Sequence, residues 1–328
     1  MTRLAYCRHM PQPRPVLVIG AGVSGMTSAI RLAESGYPVE IISREPPHRS
    51  TSCSAGALWG PYLADDDRVI RWSERTRVVL ESLAEPGALT GVRCLLGLEA
   101  AREPAPVPEW ARGLKGFREA TAEELGEFSN GWWYEAPIVD MPVYLKYLQG
   151  RLADLGVPIR GGEIDRFDPD LAAGRIIVNC TGLGAGPLTG DDTLLPVRGQ
   201  LVVVPNPGLD RFFAEHDETP EPTYLLPHGD LLVLGGSIED GVGDPVVDMR
   251  VAEAIQRRCA LIDPRVGGLR PIEHRVGVRP GRPAIRLEHE RTADGVDVVH
   301  NYGHGGAGVT ASWGCAEEVA AVVRALDG

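Results

Sequence analysis

The first apolar run of the chain, Val16-Leu17-Val18-Ile19, is short, continuous and rich in β-branched residues. That is the pattern of a strand buried on both faces of a parallel sheet. It runs directly into Gly20-Ala21-Gly22-Val23-Ser24-Gly25, after which Met26, Ala29, Ile30 and Ala33 recur at i, i+3, i+4, i+7. This spacing predicts an amphipathic helix that Gly36 ends. A second strand is expected from Val39 to Ser43, which completes one strand–turn–helix–strand unit. Further along, Val69, Trp72, Thr76, Val79 and Leu83 share a helical face, and Pro142 opens a helix carrying Tyr144, Leu148 and Leu152 on one side. Residues 85–117 hold many prolines and little periodicity, so they read as loops and short strands. Segment 175–180 is another buried-type strand, and 197–204, 223–226 and 231–235 read as strands of an antiparallel sheet. A last strand, 296–300, feeds a glycine cluster and a helix with Ala316, Val319, Ala320 and Val323 on one face.

The fold class this predicts is α/β, with a Rossmann-like domain interleaved with an antiparallel-sheet α+β domain. The first would comprise 15–62, 143–199 and 276–328, the second 63–142 and 200–275. Residues 1–14 are expected to be a loose tail.

Composition narrows the function. The 328 residues carry 33 Lys plus Arg against 45 Asp plus Glu, a net charge of −12. So acidic a chain, with no basic run, is a poor partner for nucleic acid. No window reaches the roughly 20 apolar residues of a membrane span, so no membrane association is expected. Cys7, Cys53, Cys94, Cys180, Cys259 and Cys315 lack CxxC spacing and read as reduced thiols. With no signal-peptide core at the N-terminus, a cytoplasmic location is expected, and no metal site.

The glycine turn carries the first chemistry. In GxGxxG, Gly20 permits the tight turn, Gly22 admits a pyrophosphate to the backbone, and Gly25 lets helix and strand pack closely. The helix N-terminus adds N–H groups and a positive dipole end. Glu45, about 20 residues on, is the candidate for a ribose hydroxyl, and Arg44 for adenine or phosphate. This much suits NAD or FAD equally. The segment Val298–Thr310, with Gly303, Gly305, Gly306 and Gly308, tips the choice towards FAD. A second helix N-terminus beside exposed backbone suits a flavin edge that becomes anionic on reduction. His300 and His304 have no partner at metal-ligand spacing and are expected to be satisfied by backbone hydrogen bonds.

Six motifs occur in one order: the GAGVSG turn, TSCSAGALWGPY at 51–62, VNCTG at 178–182, RGQ at 198–200, GVRPGRP at 277–283 with IRLE at 285–288, and HNYGHGGAG at 300–308. In these the chain resembles the D-amino-acid oxidases, from residue 16 to the C-terminus. The resemblance implies non-covalent FAD and oxidative deamination of a D-amino acid. Hydride passes from Cα to flavin N5, and the products are a 2-oxo acid, ammonia and hydrogen peroxide. It implies that Arg279 binds the substrate carboxylate bidentately, that the Tyr224 hydroxyl donates to the same group, and that the Gly306 carbonyl accepts from the amine. Arg282 and Arg286 are expected to be structural. By the same resemblance Ser50, Thr51 and Ser52 meet the pyrophosphate, and Gly56, Ala57 and Leu58 lie beside the flavin. Ile164 and Thr181 fall near the adenine and the Rossmann sheet, Gly308 and Thr310 near the flavin pyrimidine edge, and Gly305 and Gly306 are cofactor-binding as well. A homodimer is a further family expectation, and molecular oxygen the second substrate.

Two positions depart from the family pattern. Pro220 stands where some members carry a second active-site tyrosine on a lid, and Gly60 where many have glutamine. Ile238, in Gly235-Gly236-Ser237-Ile238, stands where D-aspartate oxidases tend to carry arginine, which favours neutral, apolar D-amino acids. D-Aspartate oxidase is the nearest alternative. An NAD-dependent dehydrogenase and a non-catalytic FAD-binding protein are more distant ones.

Overall fold

The computed structural model describes residues 13–61, 67–216, 219 and 221–327. Among these, the strands form two sheets. The six-stranded sheet runs in the order Arg286–Arg291, Asp297–Tyr302, Ile176–Asn179, Val16–Ile19, Val39–Ser43, Ile159–Gly161. Its pairs are parallel except for the outermost, 286–291 against 297–302. The four residues Val16–Ile19 are all buried, as a central parallel strand covered by helices on both faces requires. The Val23–Glu34 and Gly308–Asp327 helices pack on each other, and the Thr27 hydroxyl donates to the Val23 and Ser312 carbonyls at 2.9 and 3.2 Å.

The nine-stranded sheet is antiparallel but for one pair, Val92–Ala101 with Phe212–Glu215. Its strands Leu195–Pro205 and Glu273–Gly281 pair along their length, so the boundaries expected at 199/200 and 275/276 fall inside two neighbouring strands. One apolar core joins the two sheets, with Val203, Phe212, Leu226 and Val233 on one side and Val18, Ala29 and Val178 on the other.

Two expectations change, and one helix is new. Segment 85–117 is not loops and short strands: Val92–Ala101 is a ten-residue strand paired with Asn130–Val139 in full register. Its last five residues are all buried, so it lacks the alternation that would mark it. The new element is the Met249–Ile262 helix, capped by the Asp248 side chain and burying Ala252, Ile255 and Cys259. Of the expected loose tail, 1–12 lie outside the described residues. Arg14 is anchored, its N–H to the Asp327 carboxylate at 3.3 Å and its guanidinium to Asp297 at 3.0 Å.

Candidate active site

A cavity of about 2460 Å³ lies between the two sheets. Gly20, Ala21, Gly22, Val23 and Ser24 line it, while Gly25 sits behind. Gly20 has φ +107°, and a Cβ there would stand 2.3 Å from the Cys180 carbonyl oxygen. Only glycine adopts that backbone at no cost. Gly22 caps the Val23–Glu34 helix without a side-chain hydrogen bond, and the first turn holds no acidic residue. Outside partners hold the turn in place: the Val23 N–H donates to Ser52 Oγ at 3.0 Å, and the Ala21 N–H to Ser43 Oγ at 3.1 Å. The remaining N–H groups and the dipole leave an anion site facing the cavity.

Arg44, Glu45 and Ile164 line the same space, with Arg44 and Glu163 both exposed and 3.6 Å apart. Ser50, Thr51, Ser52, Gly56, Ala57, Leu58 and Thr181 line it too, as do Gly305, Gly306, Gly308 and Thr310. Not every hydroxyl is available there. Ser50 donates to the Pro47 carbonyl, Thr51 to Val278 and Thr181 to Asn179 Oδ1, whereas Ser52 Oγ accepts from Val23 and keeps its proton. The Gly308–Asp327 helix also presents an N-terminal turn without acidic residues to the cavity.

Tyr224 and Arg279 come together on the floor of the nine-stranded sheet. Tyr224 pairs with Gly235 across the strands, and a Cβ on Gly235 would lie 1.9 Å from its ring. A Cβ on Gly236 would come within 2.7 Å of the hydroxyl, and one on Gly56 within 3.2 Å of the ring edge. Three glycines thus form the slot that holds the phenol. Burial pushes Tyr224 up to about 12, although Arg279 nearby acts in the opposite direction. The hydroxyl therefore keeps its proton at ordinary pH. The Arg279 guanidinium lies over Gly199, where a Cβ would be 2.4 Å from it, and makes one long hydrogen bond to the Ser237 carbonyl at 3.3 Å. Among the described residues no carboxylate pairs with it. Its neighbours are spent on structure: Arg282 pairs with Asp191 at 2.9 Å, and Arg286 with Glu288 and Glu290. From beneath the sheet, Arg258 donates to the Gly236 carbonyl at 2.7 Å and pairs with Glu221 at 3.1 Å.

His300 and His304 are satisfied by side chains, not by backbone groups as expected. His300 contacts Asn179 and Glu290, and His304 contacts Asn301 at 3.1 Å. Burial lowers His304 to about 4, and burial followed by Arg275 and Arg93 does the same to His228. Both imidazoles are neutral in the fold and regain an ordinary value near 6.5 when unfolded. The unfolded chain therefore binds more protons between about pH 6.5 and 4, and stability falls as pH drops through that window. The melting temperature is expected to be lower at pH 5 than at pH 7.5 by calorimetry. Equal values would show that these imidazoles are solvated.

The sequence pattern did not point to Glu99, Trp110, Tyr134 and His216, which also line the cavity. The Tyr134 hydroxyl and His216 Nδ1 each bond one oxygen of the Glu99 carboxylate. Trp110 packs edge-on against Tyr134, with ring centroids 5.7 Å apart. Gly60 lines the cavity, whereas Pro220 lies outside the described residues.

The glycine turn, the partly buried Tyr224 and Arg279, without an ion pair among the described residues, thus face one cavity. The family model described as FAD dependent oxidoreductase (DAO) matches residues 15–322. The chain belongs to that FAD-dependent oxidoreductase family. It is 44% identical over 312 residues to the D-amino-acid oxidase of Rubrobacter xylanophilus, covering 94% of this chain and 95% of that protein. It is also 44% identical over 310 residues to the D-amino-acid oxidase of Streptomyces coelicolor, covering 93% and 95%. Among solved structures, glycine oxidase from Geobacillus kaustophilus shares the fold, with a TM-score of 0.78 at 17% identity over 96% of this chain and 95% of that one.

FAD is the cofactor of this family, and the cavity suits it. Two helix N-termini and the Gly20–Gly22 backbone supply donors for phosphates and a flavin edge. The glycines at 20, 22 and 56 keep the wall free of side chains where a flat, long ligand must lie. Among the described residues, no helix is long and apolar enough to cross a membrane.

Proposed function

We propose that the protein is a D-amino-acid oxidase acting on neutral and apolar D-amino acids, with oxygen as second substrate. The observation that carries this is Arg279, a guanidinium on the cavity wall with no ion-pair partner among the described residues, beside the protonated Tyr224. A planar fork and one hydroxyl suit a single carboxylate. Gly306, with open space at its Cα, offers its carbonyl to the substrate amine. Held at both groups, the substrate has a fixed Cα, and orientation does most of the catalytic work. When bound, FAD would serve as the two-electron acceptor with oxygen as the terminal acceptor, giving hydrogen peroxide, and water would hydrolyse the resulting imino acid to a 2-oxo acid and ammonia.

Gly20 to Ser24 and Ser52 are assigned to the pyrophosphate, and Glu45, Arg44 and Ile164 to the adenosine end. Ser50 and Thr51 contribute backbone groups, since their hydroxyls are engaged. Gly56–Leu58, Gly305, Gly308 and Thr310 are assigned to the flavin, Thr181 to the adenine side of the Rossmann sheet, and Gly25 to helix packing. The six-stranded sheet would carry the cofactor and the nine-stranded sheet the substrate. Ile238 on the cavity wall, and the placing of the lining cations Arg44 and Arg49 beside the cradle, argue against a second substrate carboxylate and hence against D-aspartate oxidase. The free thiols of Cys53, Cys94, Cys180, Cys259 and Cys315 support a cytoplasmic protein. A homodimer rests on the family resemblance alone.

Purified protein should show an oxidised-flavin spectrum that D-alanine or D-methionine bleaches anaerobically and the L-enantiomers do not. A colourless protein that cannot take up FAD would sink this function.

A further inference from the structure

Directly paired residues on adjacent strands share a sheet face. Glu99 pairs with Ala214, Ala214 with Tyr224, and Tyr224 with Gly235, so one row crosses four strands on the cavity side. The row has two differently charged ends. At one, the Tyr224 ring leans over Gly235 and meets Arg279. At the other stands Glu99, with Tyr134 and His216 on its two oxygens and the Trp110 ring behind Tyr134. Between them lies Ala214, whose methyl leaves the floor low.

Resting on the oxidase reading above, we infer that Glu99 is a specificity-determining residue that receives the cationic tip of a long D-amino-acid side chain. Three strand spacings separate the Gly235 and Glu99 positions, about 14 Å. An extended D-arginine with a hydrogen bond of about 2.8 Å at each end has a length of the same order as that backbone separation. The Glu99 carboxylate has about four lone-pair sites, and Tyr134 and His216 engage one on each oxygen. The aromatic faces of Trp110 and Tyr134 add favourable surroundings for a cation. Apart from His216, the lining cations Arg44, Arg49 and Arg279 belong to the cradle and the carboxylate end, and the lining also includes Glu109. An anionic tip would meet Glu99 directly. Neutral side chains fill the low floor without reaching it.

D-Citrulline has the length and shape of D-arginine without its charge, so the ratio of kcat/KM for the two isolates the charge. In the wild-type holoenzyme at pH 8, D-arginine is expected to be favoured by about tenfold or more, the worth of one charge-assisted hydrogen bond. In Glu99→Gln the ratio should fall to near one, and a general loss of activity divides out of it. An unchanged ratio in Glu99→Gln overturns the assignment. So does a wild-type enzyme that prefers D-citrulline, a result that needs no variant to fold. If D-alanine itself is not oxidised, the oxidase reading has failed, and that outcome is distinct from either ratio.

Discussion

Arg279→Leu is expected to raise KM for D-alanine by about 100-fold or more while leaving FAD bound. The guanidinium acts electrostatically on Tyr224, and leucine removes both prongs of its fork. Removing one partner of a desolvated, hydrogen-bonded charge pair typically costs about 2–5 kcal/mol, and each 1.4 kcal/mol is about tenfold. Loss of orientation should lower kcat as well, because the Tyr224 hydroxyl alone leaves the carboxylate free to pivot. The fold should not suffer. Arg279 makes one hydrogen bond of 3.3 Å and no ion pair among the described residues, so its removal orphans no buried carboxylate. Arg282→Leu makes the contrast, since it strips Asp191, whose side chain is 8% exposed, of its guanidinium. Steady-state kinetics by peroxide detection, with the flavin spectrum as a control, decide the matter. An unchanged KM would remove Arg279 from the substrate site.

Gly25→Val should abolish FAD retention and lower the melting temperature steeply. A Cβ at position 25 would sit 2.0 Å from the Gly20 carbonyl oxygen and 2.9 Å from its carbon. Both are backbone atoms of the cofactor turn, so no rotamer relieves the contact. The Val23–Glu34 helix would have to retreat from the strand, taking the Gly22 N-terminus and the Val23–Ser52 hydrogen bond with it. Overpacking of this kind costs about 1–3 kcal/mol where side chains yield, and more where backbone must move. The binding loss compounds it, because bound FAD itself stabilises the fold. FAD titration and thermal unfolding of the variant should both change. A yellow Gly25→Val protein melting like wild type would mean that helix and strand are less tightly docked than the geometry requires.

Legibility followed the range of the contacts involved. The dinucleotide cradle lies within thirty residues of chain, and its strand, turn and helix each carry a local signature. The Met249–Ile262 helix also carries a local signature, Asp248 as cap and Ala252, Ile255 and Cys259 on one face. The Val92–Ala101 strand was not, because its buried half does not alternate. Arg282 and Arg286 were already set apart from Arg279 by the motif, and their ion pairs with Asp191, Glu288 and Glu290 supply the physical reason.

The sequence by itself determined the α/β class, the cofactor turn and, through motifs resembling the D-amino-acid oxidases, the reaction. The class and the turn depend on short-range order, periodicity and glycine conformation, and the reaction on the resemblance of local motifs. Tertiary structure decided what faces the substrate. Glu99, Tyr134 and His216 are 35 and 117 residues from one another's hydrogen-bond partners and meet only because strands of one sheet pair in register. The phenol slot is likewise assembled from Gly56, Gly235 and Gly236, on segments that no local pattern connects. Sheet register turns distant residues into neighbours on one face, and a single sequence carries no direct record of it.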